Sequence, residues 1–235
     1  MSTLNFIDLA LRRRVCLRQG SAVVGYYVKP IAEAQWFKFF DGIVSTAVRD
    51  GKQIVQHTDA TSAGLGLVAD ALKLGDDAPP VPLAHRLAIA NILTSAYVPT
   101  PEETAAQEEM PPEAVRLYTI WGAGDGEGDA MRRFKNLVHW FDAPSAEQYR
   151  RYRRDDSRAQ IVSGSRKGTT IYRGAQRTLA ALYDELIVNV AGYAVNGTDL
   201  QGREQISLHM DTYHKVSAAL GLFSAAVPEI EEDEA

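Results

Sequence analysis

The sequence predicts an α+β protein, rich in helix and built as two similar small modules, each a β-hairpin with about three helices, that arose by duplication. Three observations predict it. The clearest helix begins at Leu179, and its apolar residues Leu179, Leu182, Leu186 and Val190 recur at three- and four-residue steps, so one face needs a partner. Read back 114 residues, Leu67 to Leu72 stands where Ala181 to Leu186 stood, with Asp70 under Asp184, and Pro30 to Glu33 stands under Pro144 to Glu147. A third echo, at an offset of 129, sets His85 to Leu93 against His214 to Leu222, so the second copy holds about 15 extra residues before its last helix. The divisions that follow are a first module over 1–98, an acidic Pro/Glu linker over 99–113, a second module over 114–228 and an acidic tail over 229–235. The rival is a single α-rich domain with accidental similarities.

Taken in order, Phe6 to Leu11 suits a short helix or an arm. Val15 to Val28 reads as a β-hairpin, with alternating Val15 and Leu17, a Gly20-Ser21 turn and a β-branched, aromatic second strand. Pro30 closes that strand and opens a helix over about 31–48, with Glu33 suited to the first-turn dipole and Trp36, Phe37, Phe40 and Val44 on one face. Asp50-Gly51 breaks it. A short strand is expected over 53–57, then a helix capped by Thr58 or Asp59 running to Leu74. Its Gly64 and Gly66 each weaken it by about 1 kcal/mol unless close packing requires small residues there. A helix over 83–97 turns Leu83, Leu87, Ala90, Ile92 and Leu93 inward. In the second module, strands are expected at 115–121 and 133–141, the latter alternating at Phe134, Leu137 and His139. Then come a helix over 144–158, a short hairpin around Gly164-Ser165, the Leu179 helix, and a last helix over 207–226.

The totals narrow the function. With 46% apolar and 23% charged residues, the 235-residue chain has the composition of an ordinary globular protein. No apolar run approaches the roughly 20 residues of a membrane helix, and Met1 to Asp8 lacks a signal pattern. One cysteine, Cys16, excludes an intrachain disulfide and a thiol zinc cluster. The net charge of −5 is uneven: 99–113 and 229–235 each hold five acids and no base, whereas both modules are mildly basic. Both acidic segments read as solvated chain.

Candidate chemistry is sparse. The Gly122-to-Gly128 loop has acids where a phosphate cradle needs none, lacks a following Lys-Ser/Thr, and places Ala130 and Asn136 where a calcium loop needs Gly and Glu. The histidines at 57, 85, 139, 209 and 214 include no HExxH or His-x3-His pair, and His85 and His214 suit a structural role near a helix start. No Gly-x-Ser-x-Gly elbow occurs. No catalytic residue, metal ligand or cofactor is therefore assigned, and the chain is not expected to be an enzyme. Arg150 to Arg158 interleaves arginines with Tyr152, as a single-strand binder would. Asp155 and Asp156 within the run, and the chain's acidity, favour a solvated, salt-bridged helix face over nucleic-acid binding.

The stretch Val15-x-Leu17-x-x-Gly20-x-x-Val23, through Tyr27-Val28-Lys29-Pro30-Ile31 to Trp36, resembles the start of many tail assembly chaperones of tailed bacteriophages: a hairpin, a basic-Pro-apolar step and an amphipathic helix. It covers about 25 residues of the first module; the second lacks the compact Leu-x-x-Gly turn. The resemblance implies a non-enzymatic morphogenesis protein that binds apolar helices of another tail protein in the host cytoplasm, with possible self-association. Trp36, Phe37, Phe40, Tyr149 and Tyr152 are the candidate partner-binding residues; the competing reading makes them each module's own core. The alternative function is a virion structural component, such as a minor head, connector or tail protein, which would assemble into rings or bind the particle surface.

Overall fold

Backbone hydrogen bonding in the computed structural model, which describes residues 6–43, 46–49, 52–55, 60–72, 80–94, 100–121, 132–156, 159–161, 170–172 and 175–225, gives an α+β architecture of eight helices and four small sheets. The N-terminal arm is a strand, β1 (Ile7–Asp8), whose partner comes late in the chain. The predicted hairpin follows as β2 (Arg13–Gln19) and β3 (Ala22–Val28), in register from Arg13↔Val28 to Gln19↔Ala22, with Gly20 at φ 62° in the turn. Helix α1 (Glu33–Ile43) is shorter than the 31–48 expected, because Thr46 and Val48 are β-branched and lie in β4 (Thr46–Arg49), paired with β5 (Lys52–Val55).

Helices α2 (Ala60–Ala71) and α3 (Leu83–Thr94) follow; the expected cap, Thr58 or Asp59, lies outside the described residues. They pack closely at Gly64, where a Cβ would stand 3.1 Å from that of Ala90, so a small residue suits the contact. Gly66 has no such neighbour within 4 Å. Leu83, expected inward, is 54% exposed at the helix start, while Ile89, Ala90 and Leu93 are buried.

Where a linker is expected, the chain forms α4 (Pro101–Glu108). Thr100 and Glu103 close a capping box with Pro101 in the first turn, and the helix docks through Gln107, whose amide bridges Ala114 O and Arg116 N. The Thr-Pro-Glu-Glu signature outweighs the acid-rich composition that suggested a linker. Next come the antiparallel pair β6 (Ala114–Trp121) and β7 (Arg132–Phe141), then α5 (Ala146–Asp156), β8 (Ala159–Ile161), β9 (Thr170–Tyr172) and α6 (Gln176–Leu186). The Gly122–Gly128 loop and Gly164-Ser165 lie outside the described residues.

Helix α6 ends at Leu186, not in the 192–197 stretch. Ile187, Val188 and Val190 are β-branched and form β10 (Ile187–Ala191) against β7. Then come β11 (Tyr193–Val195), β12 (Thr198–Asp199), α7 (Arg203–His209) and α8 (Thr212–Ala225). The last predicted helix is thus two. Asp211 stops the continuity by acting as an N-cap, accepting the Tyr213 backbone N–H at 2.9 Å.

The order hairpin, helix, hairpin, helix, helix occurs twice: β2-β3-α1-β4-β5-α2-α3, then β6-β7-α5-β8-β9-α6 and, after β10 to α7, α8. The two runs meet at strand pairings and in the core. β1 lies parallel to β11, and β4 pairs with β9 to give a sheet of order β5-β4-β9-β8. The main core gathers Leu137, Leu182, Leu186, Ile206 and Leu222 and also takes in Ile7 and Phe37; a second cluster holds Val15, Val28, Val68 and Ile89 of the first run.

Candidate partner groove and the polar chain behind it

The N-cap of α8 organises the candidate site. Besides capping its own helix, Asp211 accepts the Trp36 indole N–H from α1 at 3.1 Å. The Tyr213 ring lies against Trp36 and Phe40, with centroids 5.1 and 6.2 Å away, and its hydroxyl donates to Thr94 O at the end of α3. One turn of sequence thereby fastens α1 and α3 to α8. Beside it, Arg13 is 9% exposed; burial draws its guanidinium down to about 10 against the opposing pull of Asp211 and Tyr213, so it stays charged at neutral pH.

In front of this junction is a cavity of about 540 Å³, walled by β2, the start of α1, α4, β6 and the α7–α8 turn. Its rim carries two large exposed apolar side chains, Leu11 (58% exposed) and Leu208 (70% exposed). Its wall carries two buried polar atoms, Arg116 Nε and Ser207 Oγ, with no hydrogen-bond partner among the described residues. Both atoms are shielded by their neighbours, and an unmatched buried donor costs about 1–3 kcal/mol.

His214 lines the cavity and begins a chain of buried polar groups. Its Nδ1 is 3.1 Å from Tyr193 Oη, which is 3.0 Å from His139 Nε2, whose Nδ1 is 2.9 Å from Tyr183 Oη. Two uniform proton arrangements satisfy every link: Tyr183 to His139 to Tyr193 to His214, each donating to the next, or the reverse. Burial pushes both histidines below their usual range and both tyrosines above theirs; His139 is pushed further down by His214, while Asp211 partly offsets the shift of His214. All four groups are neutral at pH 7, and three of them are sealed from the cavity. The chain orients α6, α8, β7 and β11 on one another; it offers no charged acid or base to a substrate.

The sequence-selected aromatics are elsewhere, in the packing. Trp36, Phe37 and Tyr152 are buried, and Phe40 and Tyr149 are half-buried. Phe37 sits under the Arg177 guanidinium at 4.4 Å, and Arg177 pairs with Asp41 at 2.9 Å. Tyr149 and Tyr152 pack on Phe223, with centroids 5.0 and 5.3 Å away. Of the five, Trp36 alone reaches the cavity. The arginine run is an exposed helix face, with Arg150 on Glu147 and Arg154 on Asp155; Arg151 pairs with Glu185 of α6 at 2.6 Å.

Sequence reasoning missed the tyrosine–histidine chain, though its signals were present. The β7 alternation places Leu137, His139 and Phe141 on one face, all buried. His85 and His214 both stand third in their helices and each meets a strand tyrosine, Tyr26 and Tyr193. No group of three or more His, Cys, Asp or Glu among the described residues could hold a metal ion, and no described helix is long and apolar enough to cross a membrane. Comparison with family models, curated proteins and solved structures gives no match of any kind, so the site is read from its own residues.

Proposed function

We propose that the chain is a non-enzymatic assembly protein of the tailed-phage kind, and that the cavity holds an apolar segment of another tail or virion protein. The observation that carries this reading is the exposed apolar rim, Leu11 and Leu208, over a cavity of about 540 Å³. Such a surface suits an apolar helix, whose side chains would cover the rim. The stretch that resembles tail assembly chaperones supplies part of the wall: Val28, Pro30, Ile31 and Trp36 all line the cavity. Binding therefore passes from the aromatic face of α1 to the groove that this face braces.

The test is site-specific photo-crosslinking from position 208 in cells producing particles. A tail protein captured at 208, and lost with Arg116→Ala, supports the reading; no specific product from 208 or from 11 refutes it. The alternative, a component of the finished particle, is supported by a sheet whose outer strands have no strand neighbour among the described residues, and is distinguished by stoichiometric presence in purified particles.

A further inference from the structure

We infer that the chain self-associates head to tail through the two outer edges of its four-stranded sheet, β5 of one copy pairing with β8 of the next. The inference is independent of the groove and of what fills it. Within one chain the junction between the two runs is the pairing of β4 with β9, in register from Thr46↔Tyr172 to Val48↔Thr170. By element order, β4 is the first strand of its hairpin and β9 the second of its own. The junction therefore joins a first strand of one run to a second strand of the other.

The same sheet ends in β5, a second strand, and β8, a first strand; among the described residues neither has a neighbour on its outer side. The β4–β9 pairing thus leaves, among the described residues, the outer sides of β5 and β8 without a strand, and these are the two edges needed to repeat it. An edge strand presents a row of N–H and C=O groups to any strand that matches it. Here the matching strand belongs to a second copy, because β8 against β5 repeats the first-to-second pairing already made inside the chain. A contact between unlike surfaces extends to a ring or a filament, whereas a two-fold contact stops at a dimer. Edges of 3 and 4 residues are short, so association is expected to be concentration-dependent.

The test uses the full chain with its edges blocked one at a time. On an edge strand, alternate N–H groups point outward, so of Gln53→Pro and Ile54→Pro one is tolerated; the same holds for Gln160→Pro and Ile161→Pro. Variants with unchanged circular dichroism are kept. By light scattering, the parent chain is expected to rise in mass with concentration beyond a dimer, and each blocked variant alone to remain a monomer. A mixture of the β5-blocked and β8-blocked variants is expected to double in mass and stop, since each supplies the edge that the other lacks. A parent chain that stays monomeric at every concentration overturns the inference. So does a blocked variant that dimerises by itself, which would indicate a two-fold contact.

Discussion

Lowering the pH from 7.5 to 5.5 is expected to destabilise this protein through His139 and His214. Both are held neutral by burial, facing Tyr183, Tyr193 and, for His214, Asp211 and Arg13. In the unfolded chain each titrates near 6.5. A base whose folded value is depressed contributes nothing above the unfolded value; below it, the unfolded state takes up protons that the folded state refuses, and stability falls with pH. One unit below 6.5, the loss is about 1.4 kcal/mol for His139 and smaller for His214, or roughly 2 kcal/mol for the pair. With a urea slope of about 2–3 kcal/mol per molar, the unfolding midpoint should drop by roughly 1 M. His139→Gln, which still donates and accepts but does not titrate, should remove more than half of the drop, and adding His214→Gln should remove the rest. Asp211 tempers the shift of His214, so His139 carries the larger share. An equal midpoint at both pH values in the parent chain, or a full drop in the double variant, would refute the reasoning.

Three further perturbations have defined outcomes. Tyr193→Phe leaves His139 Nε2 and His214 Nδ1 each without its hydroxyl partner and should cost about 2–4 kcal/mol in urea unfolding, well above an exposed tyrosine control. Gly192→Ala combines φ 82° with a Cβ only 2.6 Å from Asn136 O, so it should lower yield or melting temperature sharply, whereas Gly197→Ala, at φ 76° with no neighbour within 4 Å, should show only backbone strain. Thr100→Ala removes the capping box that seats α4 beside the groove; a loss of about 1 kcal/mol and faster hydrogen exchange confined to 101–108 are expected.

Period and turn chemistry were legible before the structure; competition between neighbours was not. The first hairpin, with its Gly20-Ser21 turn, and the apolar stripe of α6 could be read because one signal dominated each. The Ile187-Val188-Asn189-Val190 stretch continued the helical spacing while being β-branched, and the open edge of β7 decided for a strand. The 99–113 stretch was read by composition, although Thr100-Pro101-Glu102-Glu103 was a local start signal of greater physical weight. Trp36 and Phe40 were visible as an aromatic face, but their partner Tyr213 lies about 175 residues away in sequence, and no spacing rule reaches that far. The groove was illegible for the same reason: its walls come from eight separate elements, none of which alone looks like a site.

The arm at the N-terminus has a consequence for how the protein is made. Ile7 N bonds Gly192 O, and the Asp8 carboxylate accepts the backbone N–H groups of Asn196 and Gly197. Strand β1 must therefore wait for its partner β11 to be made. At roughly 5–20 residues per second, that wait is about 10–40 s. During it Ile7, destined to be 1% exposed, is without its permanent neighbours. Completion of the main core is thus tied to synthesis of β11, and a product truncated before residue 192 would display an unpaired strand that the longer chain covers.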